Sequence, residues 1–191
     1  MNEREALLLI EEMINSTKQE VKDNGFYYML WGWLVFIAAI TDYVLLMVLH
    51  NNNHAIVWGI LMPLGGVVSI IAGRKQSKEQ RVKTYVDEAI KFLTIAFSIS
   101  LFIICFVMPM TNNNWRAFYP TLMVVYAFAI FVFGGLLRYK PLIYGAYTNW
   151  ALAIIGYFVA YDWQLLLLAL AVLCGFIIPG HLLNKKFRKR V

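Results

Sequence analysis

Charge is scarce in this chain: 15% of its 191 residues are Asp, Glu, Lys or Arg, against about 25% in ordinary soluble domains. Cysteine is scarcer. Cys105 and Cys174 each lie inside an apolar run, with no second Cys or His at ligand spacing, so neither a disulfide framework nor paired-cysteine redox chemistry has support. There is no Gly-rich phosphate loop and no embedded His cluster. No serine sits in an apolar run with a His at matching depth, and no acidic constellation suits metal-assisted phosphoryl transfer. These absences argue against an enzyme and call for no cofactor and no metal.

Apolar residues are what the chain has in excess, at 61%. A soluble fold of this length cannot hide so much apolar surface, so the remainder must face lipid or other chains. Crossing about 30 Å of hydrocarbon takes about 20 mostly apolar helical residues. Six runs qualify: 26–49, 55–73, 92–110, 117–137, 142–160 and 163–183. They are continuously apolar, without the alternation of barrel strands, and no cleavage site follows a short apolar core near the start. The expected fold is all-α: a polytopic membrane protein with six transmembrane helices in three antiparallel hairpins. Residues 1–25 form a preceding cytoplasmic amphipathic helix, stopped at Asn24-Gly25, and 184–191 form a basic tail. Pro179 is expected to leave the last span straight to Ile178 and kinked beyond.

The net charge of +6 is distributed by side. Arg4, Lys18 and Lys22 precede the first run. Arg74, Lys75, Lys78, Arg81, Lys83 and Lys91 separate the second and third, and Arg138 and Lys140 the fourth and fifth. Lys185, Lys186, Arg188, Lys189 and Arg190 follow the sixth. The opposite side holds only Arg116. The positive-inside rule then places both termini in the cytoplasm of a cell whose inner membrane the chain spans. Basicity here reports topology and gives no argument for nucleic acid. The five bases of the tail suit anionic headgroups on the cytoplasmic leaflet.

The N-terminal segment carries an apolar seam, Leu7, Ile10, Ile14 and Val21, on a stretch with a net charge of −3. A helix gripping anionic lipid would be basic, so the expected partner is a protein surface. A cytosolic protein, a second copy, or the chain's own basic loop would each serve.

Within the spans, Asp42 stands out, because intramembrane carboxylates are costly. Gly32, Ala39 and Asp42 share one helical face. Asn149 is the best mid-span hydrogen-bonding group. His50, His54, Arg116 and Asp162 fall at the same end as Asp42 and define a candidate outer vestibule; a hydrogen-bonded structural Asp is the alternative. Small-residue stripes, namely Gly59, Pro63, Gly66 and Gly73 in the second run, Thr94, Ser98 and Cys105 in the third, and Gly145, Asn149, Ala153 and Gly156 in the fifth, predict close helix contacts there.

In plan, the chain resembles small uncharacterised bacterial inner-membrane proteins with six spans and an N-terminal cytoplasmic helix. The resemblance is one of architecture and implies no activity or site. Two functions follow as expectations. One is a non-enzymatic protein that anchors or senses and signals through its N-terminal helix. The other is a small transporter or channel for a cation, a proton or a weakly polar molecule, built on Asp42, Asn149 and the Pro63–Gly66 break.

Overall fold

A chain whose apolar runs meet lipid must satisfy its backbone hydrogen bonds within each run, which selects helices. The computed structural model describes residues 3–50, 53–79, 85–110 and 115–188, with side chains for 25–50, 53–74, 88–108, 110 and 115–183. The described residues are all-helical, with no strand among them. In order they are α1 (Glu3–Met47), α2 (Ile56–Glu79), α3 (Tyr85–Val107) with a 3₁₀ turn at Met108–Met110, α4 (Trp115–Leu136), α5 (Lys140–Phe158), α6 (Tyr161–Val172), a π-helical turn at Leu173–Ile177, and α7 (Ile178–Arg188). Five segments are long and apolar enough to cross a membrane: Gly25–Met47, Ile56–Arg74, Glu88–Val107, Trp115–Leu136 and Tyr161–Leu183. The fifth sequence run, now α5, misses that standard because Lys140, Asn149, Thr148 and its tyrosines lower its hydropathy.

One expectation about breaks fails, and an irregularity the sequence did not announce lies near the other. The helix runs through Asn24-Gly25 without interruption, so no stop divides residues 1–25 from the first span. A glycine ends a helix by adopting a left-handed conformation; no described glycine has a positive φ, and Gly25 is buried within α1. At the other end, the disturbance precedes Pro179 and does not follow it. The Ile178 N–H bonds back to Leu173 O, five residues away, and the helix continues through Pro179 to Arg188. Widening one turn makes room for a proline ring that otherwise strikes the carbonyl four residues earlier.

The core lies among α1, α4, α5 and α6. Met123, Ile130, Leu142, Leu165, Leu168 and Val172 are almost completely buried, and α1 adds Val35, Ala38 and Ala39. α4 and α5 have the most extensive contact. Gly134 meets Leu142 and Ile143, Phe131 meets Tyr147 and Trp150, and Pro120 meets Gly156. α2 and α3 are peripheral: almost none of their apolar length is buried, against half of that of α4 and of Tyr161–Leu183. Ile60, Val67, Ile71, Ile99, Phe102 and Phe106 are exposed on them, a surface that suits lipid and not water.

The small-residue stripes therefore divide. Gly145 packs on Cys174 and Gly175, Ala153 is fully buried and Gly156 abuts Pro120, so the α5 stripe is a contact surface. Gly59 and Gly66 of α2 face open space, although Gly65 beside them meets Leu34 and Trp31. Thr94 and Ser98 of α3 turn their hydroxyls to their own helix's carbonyls and are exposed, as is Cys105. Local back-bonding satisfies such hydroxyls without a neighbouring helix, which is why their spacing misleads.

Candidate functional site

Asp42 ends a buried face of α1 that includes Gly32, Val35 and Ala39, and it is completely buried. A carboxylate in that position needs donors. His54, in the turn that opens α2, brings Nδ1 to 2.5 Å from Asp42 Oδ1. Trp58 Nε1, one helical turn on, donates to Oδ2 at 2.8 Å, and the Tyr119 hydroxyl of α4 donates to the same oxygen at 3.1 Å. The Tyr161 hydroxyl at the start of α6 donates to the Tyr119 hydroxyl at 3.3 Å. With a carboxylate as acceptor, His54 Nδ1 carries the hydrogen, and the bond is charge-assisted. The rings close over the group: Trp58 and Tyr119 centroids lie 6.2 Å apart, and Tyr119 and Tyr161 5.3 Å. One acid thus ties together α1, α2, α4 and, through a tyrosine relay, α6. His54 keeps 19% of its side chain exposed where Asp42 keeps none, so the pair opens to the surface through the histidine.

The vestibule residues named from sequence do not all converge. His54 meets Asp42. His50 is exposed, with a left-handed φ of 49°. Arg116 is exposed and pairs with no described acid; only its backbone carbonyl is engaged. Asp162 lies beside Tyr161, half-buried. No group of three metal-ligating side chains occurs among the described residues.

Asn149 belongs to a different place. Its Nδ2 donates to Gly145 O and to Ala171 O, both at 2.9 Å, fastening α5 to the end of α6 just before the π turn. Gln164, not singled out from sequence, is equally buried. Its Nε2 donates to Arg116 O at 2.8 Å and Gly156 O at 2.9 Å, with Val159 O at 3.4 Å. Asn149 Oδ1, Gln164 Oε1 and the Tyr28 hydroxyl are buried with no partner among the described residues. The criterion that selected Asp42, a polar group inside an apolar run, also selects Gln164. Trp58 was not singled out from sequence either; it follows His54 by four residues, across the turn that opens α2. Tyr119 and Tyr161 carried no signal, because tyrosines near a membrane surface are ordinary.

The seam Leu7, Ile10, Ile14 and Val21, and the bases Lys185, Lys186 and Arg188, lie on helices whose side chains there are outside those described; Lys189 and Arg190 are outside the described residues altogether. No protein-family model, curated protein or solved structure matches the chain.

Proposed function

We propose that the chain is a six-span integral protein of the cell's inner membrane, with both termini cytoplasmic, that works by sensing and interaction and not by transport or catalysis. The observation that carries this reading is the burial of its intramembrane polar groups: Asp42, Asn149 and Gln164 have no exposed surface, and each is bonded to a neighbouring helix. A permeation route needs polar groups that line a water-filled path. The transport alternative rested on Asp42, Asn149 and an interrupted second span. Asp42 and Asn149 engage different partners, and α2 runs unbroken through Pro63.

The count of six is supported by α5. Its 19 residues reach about 28 Å at 1.5 Å per residue. Only residues 137–139 join it to α4 and 159–160 to the continuous segment Tyr161–Leu183 that α6 opens, and both of these are long enough to cross. Three antiparallel hairpins and the one-sided distribution of Lys and Arg then agree. On this topology the 22 residues before Gly25 extend α1 by about 33 Å into the cytoplasm as a continuous helix. Their acidic seam would receive a cytosolic protein or a second copy, while the basic C-terminal residues rest on anionic headgroups. Deleting residues 2–23 is expected to abolish partner capture or self-association while the remaining chain still inserts; unchanged capture and association would remove the reading. In proteoliposomes, the intact protein is expected to give no cation or proton flux above empty vesicles, and a flux lost in Asp42→Asn would restore the transport alternative.

A further inference from the structure

The hold of α2 on the bundle is slight and unevenly built. α2 packs mainly on α1, and little of its span is buried. Midway, Gly65 nests against Leu34 and Trp31, and Trp31 Nε1 donates to Ser69 Oγ at 3.1 Å. At its start, the fastening is the pair of bonds from His54 and Trp58 to Asp42. His54 is the partner with exposed surface.

We propose that the Asp42–His54 pair is a proton-operated latch, which fastens the start of α2 to α1 when His54 is charged and releases it when His54 loses its proton. The proposal rests on the sensing reading and names its stimulus, the pH on the side opposite the termini. Charged, His54 forms an ion pair with a carboxylate that has no exposure of its own. Neutral, it still donates through Nδ1, but the Coulomb attraction is gone and a buried anion is left with neutral donors. Two of these, Trp58 and Tyr119, sit on different helices, so Asp42 remains held to α4 when α2 lets go. The sign follows from the charge: the proton on His54 adds an ion pair to the docked state alone, so docking is favoured at low pH and weakened at high pH.

The titratable groups facing the pair are Tyr119 from α4 and, behind it, Tyr161 from α6 with Asp162 adjacent; from α1 and its following turn, Tyr43 and His50 are neighbours in sequence and make no bond to the pair. Arg116, at the same end, forms no ion pair with a described residue. Histidine is the side chain whose charge changes across the ordinary environmental range. Asp42 stands on the same unbroken helix as the N-terminal segment, so a change in its packing is delivered to α1 directly.

The test places spin labels at Ile56→Cys on α2 and Phe158→Cys on α5, both exposed positions, in a Cys105→Ala, Cys174→Ala background of the full chain in nanodiscs. Pulsed dipolar spectroscopy is expected to give one docked distance at pH 5 and a second, displaced population at pH 8, with the displaced-to-docked ratio changing by about tenfold, a coupling of ordinary size. His54→Gln, which donates but does not titrate, is expected to abolish the pH dependence, as is Asp42→Asn. Identical distances at both pH values, or a pH dependence that survives in His54→Gln, overturns the latch. The measurement reads helix geometry alone, so its outcome is separate from whether residues 2–23 capture a partner.

Discussion

Gln164 Nε2 donates to the Arg116 carbonyl at 2.8 Å, the bond that a backbone N–H at position 120 would make if that residue were not proline. The same amide reaches Gly156 O, one of the carbonyls left open where α5 ends. One side chain therefore serves two helix irregularities at once, and it does so at the point where Gly156 lets Pro120 approach. Gln164→Leu is expected to lower stability by about 1–2 kcal/mol, the upper part of the range for interhelical bonds in membranes. Pro120→Ala restores a donor for Arg116 O, so the double variant should lose less than the two single variants added together. Unfolding by SDS titration in mixed micelles measures all four corners of that cycle, and strict additivity would separate Gln164 from Pro120.

Gly175 is a second close approach. A β-carbon there would lie 2.5 Å from Asn149 Nδ2 and 2.9 Å from Ile130 Cδ1. Gly175→Ala is expected to cost about 1–3 kcal/mol, as overpacking in a filled core does. Gly66→Ala, at a position open to lipid, should leave the unfolding midpoint almost unchanged. The pair of variants compares packing against the helix-propensity gain that both share.

Much of the fold was legible because lipid imposes a single rule, long apolar runs, and the five segments long and apolar enough to cross begin and end within a few residues of their runs, although α1, α2 and α3 extend beyond theirs as helix. What the runs could not show is which side of each helix is covered. The glycines of α2 and of α5 look alike in sequence, yet Gly66 is open and Gly145 is buried against Cys174 and Gly175. A stripe of small residues permits close approach without requiring it. Asp42 was legible as a costly group. Its partner His54 was also visible, being at the same end, but Tyr119 lies 77 residues away in sequence and tyrosine has no distinctive spacing to report a bond. Asn24-Gly25 misled because a stop signal acts only where the chain has a reason to turn, and here α1 continues.

Asp42→Ala removes the acceptor for three donors. His54 can turn to water, whereas Trp58 Nε1 and the Tyr119 hydroxyl lose their partner in the part of the bundle around the buried carboxylate. The expected loss is about 1–3 kcal/mol for each donor that water does not reach. Asp42→Asn keeps one acceptor oxygen and should fall between Ala and the native residue. The same SDS titration, with the near-ultraviolet circular dichroism of the tryptophans as signal, ranks the three; an Asp42→Ala as stable as the native chain would show that the network holds nothing.

Whether α5 crosses the bilayer decides the topology, because an odd number of spans would put the termini on opposite sides. Its hydropathy falls short, but Leu142, Ala146, Asn149, Leu152 and Ala153 are buried, so much of its polar and small-residue surface meets protein and not lipid. A helix packed in this way between α4 and α6 does not need the hydropathy of an isolated span. Lys140 at its start and Ala160 just past its end are both exposed. In the Cys105→Ala, Cys174→Ala background, Ala160→Cys should react with a membrane-impermeant maleimide added to intact cells from outside, and Lys140→Cys only after the membrane is permeabilised. Labelling of both from one side would mean that α5 turns back without crossing, and the assignment of both termini to the cytoplasm would fall with it.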